Sequence, residues 1–134
     1  MRILKTYARV FVTDLDTALP IYEQLAGAKA DLRFGFEDAE LAAVGDFLLI
    51  AGRPQDVERY RTTVGPVIVD DLDALLRTVT EYGAELIAGP FTSATGTFVY
   101  VRHADGAQLE YVQWSPETRA HVLGPDQAPA ASGG

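Results

Sequence analysis

Along residues 8–19, ARVFVTDLDTAL, β-branched and polar positions alternate and then run into an acidic segment. Alternation of this kind predicts a strand, and the Asp-rich segment that ends it predicts the N-cap region of a helix. The same arrangement returns in residues 65–76, GPVIVDDLDALL. At an offset of 57, Val10 matches Val67, Val12 matches Val69, and Asp14-Leu15-Asp16 matches Asp71-Leu72-Asp73. Leu19 then matches Leu76, and Gly27-Ala28 matches Gly83-Ala84 after a slip of one residue. A duplicated unit explains these matches, and a repeat of this length is one supersecondary structure.

Each half has the same plan. Leu15, Ala18, Leu19, Tyr22 and Leu25 fall at helical spacing in the first, and Leu72, Leu75, Leu76 and Val79 do so in the second. Pro20 fits best in a first turn, which predicts a helix starting at Asp16 or Thr17. Gly27 and Gly83 are the predicted stops. Three strands follow each helix, near 30–37, 40–44 and 46–51, then near 85–88, 97–103 and 107–114. Asp105-Gly106 is a hairpin signal, with Gly45-Asp46 in the matching place. The acidic group Glu37, Asp38 and Glu40 reads as a solvated turn. The expected organisation is α+β: a first βαβββ module over 1–52, a linker over 53–62, a second module over 63–114, and a tail over 115–134. The end of that tail, GPDQAPAASGG, is expected to be mobile and without function.

Composition narrows the partners. The 134 residues carry 11 basic and 19 acidic side chains, a net charge of −8. Both modules are net acidic. That argues against nucleic acid and against an anionic membrane surface. With no cysteine, thiolate metal sites and cysteine nucleophiles are excluded. No apolar run approaches a membrane span, and residues 1–14 lack the pattern of a signal peptide, so a cytoplasmic protein is expected.

Two βαβββ units, V-x-DLD-x-A with Ile21-Tyr22 and Gly27, V-x-D-LDALL, and the closing segment H-A-DG-A-Q-L-E together resemble the vicinal oxygen chelate superfamily over about residues 3–114. That superfamily includes glyoxalase I, extradiol dioxygenases, fosfomycin-resistance enzymes and bleomycin-type drug-binding proteins. The closing segment keeps Asp105, Gly106 and Glu110 of the usual D-P-D-G-x-x-x-E, with His103-Ala104 in its first two places. The resemblance implies a half-open barrel with a concave cleft, and commonly a homodimer. It also implies metal ligands on the first and last strands of each unit. By register those positions are Tyr7, Leu49, Val64 and Glu110. Three have lost the usual His or Glu, and a divalent metal needs several converging donors, so no metal and no cofactor is expected. His103 reads as a turn residue, and His121 lies in the tail.

Alternation then nominates the cleft lining. With Tyr7 inward, Lys5, Arg9 and Phe11 follow, while Ala8, Val10 and Val12 face a helix. With Val64 inward, Pro66 and Ile68 follow, and Pro66 predicts a strand with one unpaired side. Phe98, Tyr100, Arg102, Gln108, Glu110 and Val112 are placed inward on the closing hairpin, Phe47 joins Leu49, and Phe34 or Phe36 completes a wall. Such a cleft is apolar and aromatic with a few polar groups, as small-molecule pockets are. Glu110 either meets a ligand or pairs with Arg9 or Arg102, and Arg9 is read as its partner. The expected function is metal-independent binding and sequestration of an apolar or cationic aromatic ligand. The alternative is an enzyme on the same scaffold, with Tyr7 or Glu110 transferring a proton or with a metal held elsewhere.

Overall fold

The computed structural model describes residues 1–124, so the last part of the expected tail lies outside the described residues. The duplicated plan is present. The first module holds β2 (Ala8–Val12), α1 (Leu15–Ala26), β3 (Leu32–Phe36), β4 (Ala39–Val44) and β5 (Phe47–Ala51). The second holds β6 (Val64–Val69), α3 (Leu72–Glu81), β7 (Glu85–Thr92), β8 (Gly96–Arg102) and β9 (Gln108–Trp114). Between them a short helix α2 (Pro54–Val57) and a 3₁₀ turn (Glu58–Tyr60) form the linker. Among the described residues no helix is long and apolar enough to cross a membrane.

The first strand departs from the simple duplication. Residues Ile3–Thr6 form a separate strand, β1, which pairs antiparallel with β6 of the second module. After Tyr7 the chain enters the other sheet, where β2 runs parallel to β5. The result is one sheet in the order β1-β6-β9-β8-β7 and another in the order β2-β5-β4-β3. The N-terminal strand thus belongs to both sheets and joins the modules within one chain.

An aspartate caps each helix: Asp14 accepts from the Thr17 backbone N–H, and Asp71 from that of Ala74. The cap at Asp14 starts α1 at Leu15, so Pro20 lies inside the helix rather than in its first turn. The cap and the packing of Leu15, Ala18, Leu19 and Tyr22 outweigh the single ladder bond that Pro20 cannot make. Leu25 is exposed, beyond the reach of that face. Gly27 closes α1 in the left-handed conformation.

Three apolar layers result. Leu15, Ala42, Leu49 and Ala51 lie under α1, and Val67, Val69, Leu72, Leu75, Val99 and Val101 under α3. Tyr7, Ala43, Leu48, Ile50, Ile68, Phe98, Val112 and Trp114 form a third layer shared by both modules. That shared layer surrounds the cavity described below.

Strand β6 is paired on both sides, against the expectation for Pro66. Its missing donor sits in a register irregularity between Val64 and Val67, and its carbonyl accepts from the Tyr7 N–H at 3.0 Å. Strand β7 runs past Pro90 to Thr92, which an edge strand with shifted register allows. The segment from residue 115 contains a helix, α4 (Pro116–Leu123), where the sequence reading assigned only tail. Ser115 caps it, Pro116 occupies its first turn, and Val122 and Leu123 cover the shared layer.

The tightest backbone approach in the closing hairpin is at Gly96, where a Cβ would stand 2.2 Å from the Gln113 carbonyl. Gly96→Ala is expected to cost about 1–3 kcal/mol, read as a lower urea midpoint at unchanged slope. Gly35→Ala, whose Cβ would meet nothing closer than 3.8 Å, is expected to change stability by less than about 0.5 kcal/mol.

Candidate functional site

The seam between the modules is where polar chemistry enters an apolar interior. Arg9, on β2 of the first module, extends toward the second. Its Nε donates to the Gly65 carbonyl at 3.0 Å, its Nη1 to the Tyr60 carbonyl at 2.9 Å, and its Nη2 to Glu110 Oε1 at 2.5 Å. The two side chains are only 7% and 13% exposed. Glu110 is therefore engaged by Arg9, and this charge pair links the first strand of one module to the last strand of the other.

Tyr7, Arg9, Phe98, Tyr100 and Glu110 line one cavity between the sheets, with Phe34, Phe36, Leu48, Ile50, Pro66, Ile68 and Trp114 among its other walls. Seven nominated residues lie elsewhere: Lys5 pairs with Asp46 at 2.7 Å, Gln108 lines only a neighbouring groove, and five more depart as follows. Phe47 and Leu49 pack under α1, Phe47 edge-on to Tyr22 at 5.1 Å, and the cavity side of β5 is Leu48 and Ile50. The cause is turn length. Gly45-Asp46 makes a two-residue loop, Val44 facing Phe47, whereas five residues separate the paired Arg102 and Gln108. An odd difference in loop length exchanges the two faces of a strand. Since Val10 pairs with Leu49 and its repeat mate Val67 with Tyr111, the counterpart of Glu110 is Leu48 rather than Leu49. Val64 is 56% exposed, turned away by the irregularity that follows it. Arg102 is exposed beside Glu85 at 3.6 Å, past the end of the cavity. Phe11 packs at the margin of the shared layer under the Arg61 guanidinium, 4.7 Å from its ring centre.

The cavity has a volume of about 80 Å³. Phe36, Tyr60, Phe98 and Tyr100 are shared with an adjoining groove of about 310 Å³ that also includes Glu37, Arg59, Thr63, Phe91 and Gln108. Edge-to-face contacts set this wall: Phe36 to Phe98 at 5.4 Å and Phe98 to Tyr100 at 5.8 Å. At the rim, Glu37 accepts from the Tyr60 hydroxyl at 2.6 Å and pairs with Arg59. Alternation alone does not reveal this rim, because Arg59 and Tyr60 come from the linker.

Burial dominates the electrostatics. It pushes the Tyr7 phenol well above its ordinary value, with Asp31 and Asp46 adding to the effect. It raises Tyr100 likewise, helped by Glu110. Both hydroxyls stay protonated through the neutral range. Burial also raises Glu110, while the charge and hydrogen bond of Arg9 pull it back. His103 bonds the Tyr111 hydroxyl at 2.8 Å, and His121 donates to the Asp31 carbonyl at 2.8 Å; neither lines the cavity.

The metal implied by the superfamily does not fit this donor set. Around the cavity the sole carboxylate is Glu110, already paired to Arg9, and burial favours the neutral phenol of Tyr7. Among the described residues no group of three or more His, Cys, Asp or Glu side chains is placed to hold an ion.

No family model matches the chain, and no curated protein matches it. Solved structures do. An uncharacterized protein from Methanosarcina mazei is 39% identical, with 87% of this chain and 96% of that one covered and a TM-score of 0.82. Methylmalonyl-CoA epimerase from Mycobacterium tuberculosis is 20% identical over 88% of this chain and 93% of that one, with a TM-score of 0.66. A Streptomyces coelicolor methylmalonyl-CoA epimerase in complex with 2-nitronate-propionyl-CoA is 14% identical over 85% and 97%, with a TM-score of 0.61. The two epimerases share the fold.

Removing Arg9 would leave Glu110 buried and unpaired. Arg9→Met is expected to cost about 3–5 kcal/mol, and the double change Arg9→Met/Glu110→Leu to recover most of it, by urea denaturation. The raised pKa of Glu110 means that the folded chain holds this proton more tightly than the unfolded chain. Its contribution to stability is therefore fully present below the ordinary carboxylate value and is lost as pH rises through the raised one. Thermal melts across that window are expected to show this slope, and Glu110→Gln to flatten it.

Proposed function

Since the chain belongs to the family of the Methanosarcina mazei protein and has the tandem βαβββ fold of the vicinal oxygen chelate superfamily, we propose that it binds a small molecule without a metal. The ligand is apolar over most of its surface and sits between the two sheets. The observation that carries this reading is the cavity itself: an apolar chamber built by both modules of one chain, with aromatic walls and an adjoining groove. The role is stoichiometric sequestration, as in the drug-binding members of the superfamily.

The site chemistry favours binding over proton transfer. A phenol raised by burial is a poor base near neutrality, and Glu110 is already engaged by Arg9. It also favours an apolar ligand over a cationic one. The negative charge of Glu110 is already neutralised, so a cation entering the cavity would lose its hydration without gaining a free counter-ion.

Trp114 is the chain's one tryptophan and lines the cavity, so it reports occupancy directly. Titration with toluene or indole-free aromatic hydrocarbons is expected to change its emission saturably, with one site per chain and no effect of a chelator. Ala43→Leu, which fills a fully buried wall position, is expected to abolish the change. Turnover of a bound compound, or binding that needs an added metal, would defeat the reading.

A further inference from the structure

Most polar groups that face this cavity already have partners. Arg9 bonds two carbonyls and Glu110, and Ser93 and Thr95 lie 3.3 Å apart as a hydroxyl pair. The Tyr7 hydroxyl differs. Its residue is 4% exposed and lines the cavity, and among the described residues it is the one buried side-chain oxygen or nitrogen with no hydrogen-bond partner. A buried hydroxyl without a partner is a cost that a fold normally removes, so an isolated one on a residue that lines a cavity points to a ligand atom.

We propose that Tyr7 is the specificity-determining donor of the cavity, selecting neutral, largely apolar molecules that present a carbonyl-type oxygen to its hydroxyl. This rests on the reading of the cavity as a small-molecule site and names the class of ligand it takes. Tyr7 is held for the task. Its backbone N–H is fixed to the Pro66 carbonyl at 3.0 Å, its ring meets Trp114 edge-on at 6.2 Å, and the Lys5 ammonium lies 5.3 Å from its ring centre. Because burial keeps the phenol protonated, it offers a hydrogen rather than a negative charge. An anionic oxygen would be the stronger acceptor, but it would enter an apolar chamber whose arginine is already occupied.

Size sets the mode of entry. A cavity of about 80 Å³ admits a compact head, while the adjoining groove of about 310 Å³ shares Phe36, Tyr60, Phe98 and Tyr100 with it. The oxygen-bearing head therefore reaches Tyr7, and the apolar body lies back along the aromatic wall toward the groove.

The test compares methyl hexyl ketone with the hydrocarbon in which a methylidene group replaces the carbonyl oxygen, and with heptanoate. Each is titrated calorimetrically into the wild-type chain and into Tyr7→Phe, which keeps the ring and removes only the hydroxyl. The wild type is expected to prefer the ketone over its hydrocarbon counterpart by roughly ten- to hundredfold, and to bind heptanoate most weakly. Tyr7→Phe is expected to bring the ketone down to the hydrocarbon's affinity while leaving the hydrocarbon unchanged. The carbonyl stretch of the bound ketone is expected at lower frequency in the wild type than in the variant. Equal affinity for ketone and hydrocarbon in the wild type, or an unchanged ketone affinity in Tyr7→Phe, overturns this proposal and leaves the binding reading standing. Binding of none of the three overturns the binding reading, and this proposal with it.

Discussion

The site depends on one strand being divided between two sheets. Ile3–Thr6 complete the sheet of the second module, and Ala8–Val12 complete that of the first. Tyr7, at the crossing, is where the chain leaves one set of ladder bonds and takes up the other. The modules are each about 50 residues, too small to hold a large core alone. Joining them through a shared strand lets each use the other to bury its concave face. Arg9 strengthens the same seam, since its guanidinium meets the linker, the start of β6 and the last strand together.

Joining two concave sheets poses a packing problem that the chain solves unevenly. Beneath the helices, small and branched residues such as Ala42, Leu49, Val99 and Val101 close the space completely. Between the sheets, the aromatic rings of Phe36, Phe98 and Tyr100 meet edge-on, an arrangement that holds a wall in place without filling the centre. One charge pair suffices to keep that centre electrically neutral. An arginine alone at this depth would draw in a counter-ion, and a glutamate alone would keep its proton. The cavity is thus a property of the joint between modules, and neither module would contain it by itself.

The repeat, the order of elements, the Asp-rich segments that cap the helices and most strand positions were legible because they follow from local periodicity and capping chemistry. So were the inward positions of Tyr7, Arg9, Phe98, Tyr100 and Glu110, and the pairing of Arg9 with Glu110. What was not legible depends on tertiary register. Leu49 looked equivalent to Glu110 by counting from the hairpin glycines, but the two hairpins have loops of different length. Val64 looked equivalent to Tyr7 by the repeat offset, but β6 shifts register between Val64 and Val67, while Tyr7 stands at the junction of β1 and β2. The helix at Pro116–Leu123 carried a readable signal in Ser115-Pro116, yet it is too short for its periodicity to stand out. The rim formed by Arg59, Tyr60 and Glu37 joins a linker to a hairpin turn, a proximity that no local pattern encodes.

The two-residue turn at Gly45-Asp46 gives the cavity an unusual form of heritable variation. Point substitutions at Leu48 or Ile50 alter its walls one methyl group at a time. A single-residue insertion in the turn would act on the whole of β5 at once, sending Phe47 and Leu49 inward and Leu48 and Ile50 toward α1. Both faces of this strand are already apolar, so such an exchange would keep a hydrophobic core while replacing the lining with a different one. Descendants of this duplicated chain could therefore change ligand by a change in turn length as readily as by accumulated substitutions.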